Sequence, residues 1–180
     1  QGVMDCGVTG LDWIIESGAA VEQLADLKAP WPNYGAVRWI LAVKEGSPFR
    51  VPEDLAGKRV ATEVMGLTKS YFANRGIEAQ LEFSWGATEV KPPLLADAIV
   101  DVTETGSSLR ANNLNVLDVL LESTPRFVAS REAAADEWKR GKMDRILMLL
   151  TAAIAAATRV GLSMNVPRSA LDTILSLLPD

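Results

Sequence analysis

Residues 98–112 read AIVDVTETGSSLRAN, and this stretch contains the pattern that decides the fold. Residues 98–102 are apolar apart from Asp101 and typical of a buried strand, whereas residues 107–112 favour the start of a helix. Gly106 stands between them, and glycine allows a backbone to come close to a ligand. A strand that enters a helix through small residues predicts either a capped helix or an anion site at the unpaired helix amides.

The alternation of strand and helix extends along the chain in both directions, and it favours an α/β fold with mostly parallel sheets. Further strands are predicted at residues 3–8, 36–44, 58–63, 78–85, 116–122 and 126–129. Helices are predicted at residues 11–17, 67–74 and 88–95, and at 131–158 with a break near Gly141. Residues 28–35 are predicted to be a loop, and residues 160–179 a strand followed by a helix.

Composition excludes several classes of function. The 180 residues carry a net charge of −5, which argues against general nucleic-acid binding. Cys6 is the lone cysteine, so no disulfide framework forms, and a reducing, cytoplasmic location is expected. The chain has no histidine, hence no imidazole base and no Ser-His-Asp triad. The most apolar stretch, residues 146–157, is shorter than the about 20 residues that span a bilayer, so no membrane partner is expected.

The residues around Gly106 suit a phosphorylated sugar. Thr105, Ser107 and Ser108 add hydroxyl donors to the backbone amides without crowding a phosphate. Asp101 and Glu104 repel phosphate but accept hydrogen bonds from sugar hydroxyls or bind Mg²⁺. Serine, threonine and glycine are also ordinary cap and turn residues, so a structural role stays open.

Four segments, in order, resemble the long form of the ATP phosphoribosyltransferase family of histidine biosynthesis. They are GVMDCGVTGLDWIIESG at 2–18, the stretch from DLAGKRVATEV to LLADAIVD at 54–101, DAIVDVTETGSSLRANNL at 97–114 and VGLSMNVPRSALDTILSLLP at 160–179. In that family, N1 of the adenine of ATP is joined to C1 of phosphoribosyl diphosphate, diphosphate leaves, and Mg²⁺ assists.

The resemblance implies two α/β subdomains like those of type II periplasmic binding proteins, followed by the start of a ferredoxin-like α+β regulatory domain. It assigns residues 1–45 to part of catalytic subdomain I and residues 46–129 to subdomain II with its crossover. Residues 130–158 would be a helical return to subdomain I, and residues 159–180 the start of the regulatory domain. The family's first strand-helix units and most of its regulatory domain are expected outside the printed sequence.

The resemblance also implies roles for individual residues. Residues 105–108 would hold the ribose 5-phosphate, and Asp101 and Glu104 would meet the ribose hydroxyls. Glu89, in the segment GATE at 86–89, is expected to face the cleft, with a surface loop as the alternative. Thr9 and Gly10 end a strand, where α/β folds bind ligands, although an ordinary turn is equally consistent. No residue is assigned as catalytic.

The implied partners are ATP, phosphoribosyl diphosphate and further copies of the chain, from a dimer to a hexamer, with allosteric inhibition by histidine. The implied activity is that of a pentosyltransferase, and it is left open whether this stretch of chain is active alone. The alternative function is a non-catalytic, two-lobed module of the same fold that binds a nucleotide or another anion.

Overall fold

The computed structural model describes residues 3–29 and 36–177, and within these ranges it contains eight strands and six α-helices. The strands are β1 (Cys6–Gly10), β2 (Val21–Asp26), β3 (Val37–Lys44), β4 (Arg59–Thr62), β5 (Gln80–Phe83), β6 (Ala98–Thr103), β7 (Leu114–Ser123) and β8 (Pro125–Ser130). The helices are α1 (Leu11–Ser17), α2 (Met65–Ala73), α3 (Ser107–Ala111), α4 (Arg131–Ala135), α5 (Glu137–Ala156) and α6 (Leu171–Leu175). Most of the predicted loop at 28–35 lies outside the described residues.

Three strands form the sheet of a first lobe, in the order β1-β8-β2 with both pairings antiparallel. Helices α1, α4 and α5 accompany this sheet, and we call the unit lobe I. Its core consists of Leu27, Phe127, Ala129, Ala133 and Met143. The apolar side chains of β8 alternate, which is why one face of the sheet packs on α5.

Five strands form the sheet of lobe II, in the order β5-β4-β6-β3-β7, which also contains α2 and α3. β4 runs parallel to β5 and β6, whereas β3 pairs antiparallel with β6 and β7. Both faces of the central strands are buried: Trp39 and Leu41 pack on one side, and Ile40 and Ala42 on the other. Burial on both faces explains why β3 and β6 are continuous apolar runs.

The α/β class is confirmed, but the prediction of mostly parallel sheets is wrong. Among the strands that the structure describes, only β4, β5 and β6 pair in parallel, and the three strands of lobe I pair antiparallel. Sequence periodicity marks a strand but not the direction of its partner, which depends on how the chain crosses between lobes. β2 was missed because VEQLAD has polar residues that do not alternate regularly. β3, placed with residues 1–45 by the resemblance, belongs to the lobe II sheet.

Other helix and strand predictions need correction. The break predicted near Gly141 lies instead at Asp136, whose side chain caps α5 by accepting from the Lys139 amide at 2.9 Å. One glycine costs a helix only about 1 kcal/mol, so α5 continues through Gly141. The helix predicted at 88–95 is a single 3-10 turn, Thr88–Val90, because Pro92 and Pro93 cannot donate helical hydrogen bonds.

The last described segment differs from the predicted strand-helix pair. Residues 160–167 form no strand, since no described strand lies alongside to pair with them. A 3-10 turn, Arg168–Ala170, leads into the predicted helix, which is the short α6. Among the described helices, none is both long and apolar enough to cross a membrane.

Candidate functional site

The turn between β6 and α3 forms the centre of the candidate site. Gly106 has a φ of +72°, which strains any residue with a Cβ, and its amide donates to Thr103 Oγ1 at 2.9 Å. Thr103 is buried at the end of β6, so it anchors the turn to the sheet. Thr103 was missed by the sequence analysis, although a threonine three residues before a turn glycine is a recognisable local signal.

Polar donors are concentrated on the outer side of this turn. Thr105 and Ser107 are exposed, and Thr105 Oγ1 donates to Ser107 Oγ at 3.1 Å. The first described hydrogen bond of α3 runs from the Arg110 amide to the Gly106 carbonyl at 3.2 Å. The amides of Ser107 and Ser108 precede that bond, so they are available to an external acceptor.

Arg110 adds a positive charge to the turn. Its Nη1 donates to the Thr105 carbonyl at 3.2 Å, and it lies 3.2 Å from the position that a Cβ on Gly106 would occupy. Arg110 does not pair with Asp118, the acid of β7 that binds the Tyr71 hydroxyl and Arg75. Arg110 sits one helical turn after Gly106, a spacing that brings it back over the turn.

Carboxylates lie beside this turn at the carboxyl ends of the parallel strands. Burial, and then the nearby charges of Glu89 and Glu63, raise the pKa of Asp101, although the Val102 amide donates to its Oδ1 at 2.8 Å. The structure therefore brings together Asp101 and Glu89, which are distant in sequence. Glu63 was missed; it follows β4 as Glu104 follows β6, and that parallel was the available signal. Glu104 itself is exposed.

Glu89 is held by an unusual loop. Gly86 and Ala87 both have positive φ, +74° and +50°, which turns the chain sharply after β5. The buried hydroxyls of Ser84 and Thr88 lie 2.8 Å apart and close the loop. Glu89 is half-buried as a result, and its place in the binding cleft stays a prediction beside the alternative of a surface loop acid.

Thr9 and Gly10 are the last two residues of β1. A Cβ on Gly10 would overlap Oδ1 of Asp12, a carboxylate that is only 5% exposed. Asp12 accepts from Trp39 Nε1 and from Ser123 Oγ, both at 2.8 Å. Gly10 therefore leaves room for Asp12 in a buried junction between the lobes. The sequence analysis did not predict this junction.

Strand register relates this junction to the turn. Ser123 pairs with Val37, and the neighbouring Arg38 pairs with Thr103. Two strand spacings therefore separate Ser123 from Thr103, about 10 Å. Gly10 consequently lies at the same edge of the lobe II sheet as the turn. Thr9, in contrast, lines a surface cleft of about 840 Å³ with Cys6 and other lobe I residues, and the turn is not part of it.

The described acidic side chains do not form a complete metal-binding site. Among residues 3–29 and 36–177, no group of three or more acidic or cysteine side chains is placed to bind a metal ion. One or two carboxylates near a phosphate site do suit Mg²⁺ that is carried by substrate phosphates and keeps several waters. Asp101 and Glu89 fit that second arrangement.

Comparison with known proteins gives a consistent family. The family model described as HisG, ATP phosphoribosyltransferase, matches residues 1–152. The ATP phosphoribosyltransferase of Thermodesulfovibrio yellowstonii is 52% identical over 178 residues, which is 99% of this chain and 61% of that protein. The enzyme of the same name from Chlorobium luteolum is 53% identical over 178 residues, which cover 60% of its length. The chain thus spans about three fifths of these relatives.

Solved structures agree with this fold. The ATP phosphoribosyl transferase (HisG:HisZ) complex from Thermotoga maritima aligns with a TM-score of 0.72 at 30% identity, covering 86% of this chain and 72% of that one. The periplasmic aliphatic sulphonate binding protein SsuA from Escherichia coli aligns with a TM-score of 0.57 at 19% identity, covering 98% of this chain and 60% of that one. The second likeness concerns the fold alone.

Proposed function

The chain belongs to the ATP phosphoribosyltransferase family, and from this premise we propose that it carries much of an active site that joins ATP to phosphoribosyl diphosphate. The observation that carries the proposal is the turn at Gly106, where free amides, hydroxyls and the Arg110 guanidinium surround one glycine of positive φ. A phosphate group has several oxygens that accept hydrogen bonds, and a turn of this kind offers several donors to them.

The ribose 5-phosphate is proposed to bind at residues 105–108. Thr105, Ser107 and Ser108 supply hydroxyl groups, and the first amides of α3 supply backbone donors. Arg110 contacts the turn through the Thr105 carbonyl and contributes a positive charge beside the proposed phosphate position. The lack of a Cβ at Gly106 keeps this surface open.

The ribose hydroxyls are proposed to face the carboxylates. Asp101 is a partly buried acid whose charge is disfavoured by burial and by Glu89 and Glu63. Hydroxyl donors from a sugar would stabilise its carboxylate form. Glu104 and Glu89 border the same edge, and Gly10 approaches it from lobe I.

Mg²⁺ is proposed to arrive with the diphosphate group of the substrate rather than to reside in the protein. When bound, it would neutralise the departing diphosphate. Asp101 and Glu89 are the carboxylates proposed to meet waters of such an ion, and the proximity of the negative charges of Glu89 and Glu63 to Asp101 supports a cation there.

In this reaction the main contribution of the chain is to position the two substrates. The N1 lone pair of adenine forms the new bond to ribose C1, while the C1–O bond breaks and its electron pair leaves on diphosphate. No proton needs to be removed by an imidazole, which suits a chain with no histidine. Holding two polyanions in line, with water excluded, supplies much of the acceleration.

Two versions of the protein test the proposal. The 180-residue chain would be assayed for phosphoribosyl-ATP alone, and also in place of the 178 matching residues of the Thermodesulfovibrio yellowstonii relative. We expect Mg²⁺-dependent product from the hybrid protein. A hybrid that folds but makes no product, while the parent relative does, would refute the assignment.

The second candidate function is a non-catalytic two-lobed module that binds a nucleotide or another anion, because the donors at the Gly106 turn suit an anion whether or not a reaction follows. Calorimetry of the hybrid with phosphoribosyl diphosphate, ATP and AMP separates the candidates. Binding without turnover would support the binder.

Assembly is part of the proposal. The Thermotoga relative is a complex, and lobe II exposes apolar side chains that a further copy would cover. Phe83, Trp85 and Leu94 are 65%, 86% and 86% exposed. We propose a homo-oligomer, from a dimer to a hexamer, located in the cytoplasm, where Cys6 would remain a free thiol. Sedimentation of the chain and of a Trp85→Ser variant measures its size.

A further inference from the structure

Helix α1 carries two acids four residues apart, and both bind groups outside lobe I. Asp12 binds Trp39 and Ser123, while Glu16 binds the backbone of α2. Residues with this spacing lie on one face of a helix. One face of α1 is therefore an acidic strip that joins the lobes. We infer that Asp12 is the fixed joint of this strip and Glu16 a releasable latch that positions lobe II for substrate binding.

The Glu16 carboxylate makes a two-pronged contact across the lobes. Oε1 accepts from the Gly66 amide at 2.9 Å, and Oε2 accepts from the Leu67 amide at 2.8 Å. The N-cap residue of α2 is Val64, and its side chain makes no capping hydrogen bond. A carboxylate at the first turn of a helix satisfies unpaired amides and opposes the positive end of the helix dipole. Glu16 therefore does for α2 what an N-cap residue normally does.

The two acids differ in how easily water replaces their contacts. Asp12 is 5% exposed, and its partners Trp39 and Ser123 are 1% and 2% exposed. Glu16 is half-buried; of its two partners, Gly66 is exposed and Leu67 is 9% exposed. Breaking the Asp12 contacts would leave buried groups unpaired, whereas at Glu16 water can reach the carboxylate and the Gly66 amide, so its contacts are the easier to release. The lobes can thus separate at Glu16 while they remain joined at Asp12, which is the arrangement of a hinge.

The latch acts next to the candidate site. α2 follows Glu63 at the carboxyl end of β4, and β4 pairs in parallel with β6, which leads into the Gly106 turn. Rotation about the Asp12 joint leaves Gly10 close to that turn and changes the distance between the turn and the parts of lobe I that lie farther from the joint. This inference rests on the proposed function, in which one substrate contacts both lobes.

Three substitutions at Glu16 separate the effect of side-chain length from the effect of charge. Glu16→Ala removes both contacts, Glu16→Asp keeps the charge but is one methylene too short, and Glu16→Gln keeps the length with a single acceptor oxygen. Release of a latch predicts the largest effect for alanine and aspartate and a smaller one for glutamine. A pure charge effect predicts that aspartate resembles the unaltered chain. Glu22→Gln, an exposed acid on β2, is the matched control.

Two measurements test the inference in the 180-residue chain. The first is the distribution of distances between spin labels at the exposed positions Glu132 in lobe I and Glu82 in lobe II, with Cys6 replaced by alanine. The second is calorimetric affinity for phosphoribosyl diphosphate. We expect Glu16→Ala and Glu16→Asp to add a second, shifted distance population and to weaken binding about fivefold or more. Thermal unfolding confirms that each variant is folded.

The outcomes distinguish the inference from the function on which it rests. Unchanged distance distributions in both Glu16→Ala and Glu16→Asp would overturn the latch, whether or not ligand binds. Failure of the unaltered chain to bind phosphoribosyl diphosphate would count against the proposed function, and the distances would then decide the latch alone. An effect of Glu22→Gln as large as that of Glu16→Gln would also overturn it.

Discussion

The Gly106 turn and the Asp12 junction lie about two strand spacings apart, yet their polar groups are used in opposite ways. At Asp12 every strong donor and acceptor is paired inside the protein, and the groups are buried. At Gly106 the hydroxyls of Thr105 and Ser107 are exposed, and the first α3 amides are free to bind an external group.

The difference separates structure from recognition. Polar groups that satisfy each other in the interior stabilise one arrangement of the lobes. Exposed hydroxyls and unpaired helix amides that converge on a turn are available to a ligand. Both regions contain a glycine, but Gly10 makes room for a carboxylate of the protein, whereas Gly106 leaves room for a group from outside.

The sharpest test of this comparison is Gly106→Val. A β-branched residue at φ +72° is strained, and its Cβ would crowd Arg110 Nη1 at 3.2 Å. We expect binding of phosphoribosyl diphosphate to fall below detection in calorimetry while the far-ultraviolet circular dichroism is retained. Gly141→Ala, in the middle of α5 with no neighbour near its Cβ, should leave binding unchanged. Unaltered affinity in Gly106→Val would remove the turn from the site.

The second test addresses the junction. Asp12→Ala leaves Trp39 Nε1 and Ser123 Oγ without their shared acceptor in a buried environment, so we expect a loss of about 3 kcal/mol in the free energy of unfolding. Urea denaturation measures it. Asp5→Ala, which removes an exposed ion pair with Lys139, should cost much less, because water and salt screen a surface ion pair. Equal losses for the two variants would contradict the distinction between the regions.

The third test concerns the charge at the turn. Arg110 is exposed, so Arg110→Gln should leave thermal stability almost unchanged. It should weaken phosphoribosyl diphosphate binding about tenfold, since charge-assisted hydrogen bonds to phosphate are strong. Arg131→Gln, an exposed arginine on α4, is the control for general loss of positive charge. Equal weakening by both substitutions would point to long-range electrostatics instead of a local contact.

The smallest expected effect is a pH dependence. The pKa of Asp101 is raised above its ordinary value of 3.8, chiefly by burial, so the folded protein holds this proton more tightly than the unfolded chain. The resulting stabilisation is complete below pH 3.8 and is lost as pH rises through the folded-state pKa. We therefore expect the melting temperature of Asp101→Asn to rise relative to that of the unaltered chain as the pH increases from 3.8 to 7.

Asp118 provides the opposite case for comparison. The Tyr71 hydroxyl, above all, lowers the pKa of Asp118 below 3.8. Its stabilisation is therefore present above pH 3.8 and lost as pH falls through the folded-state pKa. We expect the melting temperature of Asp118→Asn to fall relative to that of the unaltered chain as the pH rises. Differences that stay constant with pH for both variants would contradict these assignments.

Local features of the site were predictable from the sequence. The strand before Gly106 and the helix after it follow from an apolar run, a glycine and two serines, and the structure has both as β6 and α3. Membership of the ATP phosphoribosyltransferase family also followed from short matching segments. These features depend on neighbouring residues, so a linear pattern is enough to detect them. The roles of residues 105–108 in binding remain a prediction.

Contacts between distant residues were not predictable. Asp12 and Ser123 are 111 positions apart, and nothing near either residue marks the other as its partner. The charges of Glu63 and Glu89 reach Asp101 because the parallel pairing of β4, β5 and β6 brings the carboxyl ends of these strands to one edge of the sheet. The antiparallel pairing of β3 was likewise invisible, since a strand's alternation of side chains is the same in either direction.

The sequence by itself determined which residues form the turn at Gly106, because backbone conformation there depends on the missing side chain of one residue and on its immediate neighbours. Only the tertiary structure decided that α1 joins the two lobes through Asp12 and Glu16. Hydrogen bonds of that kind form between groups that the whole fold brings within about 3 Å, and their energy depends on burial that no local pattern contains.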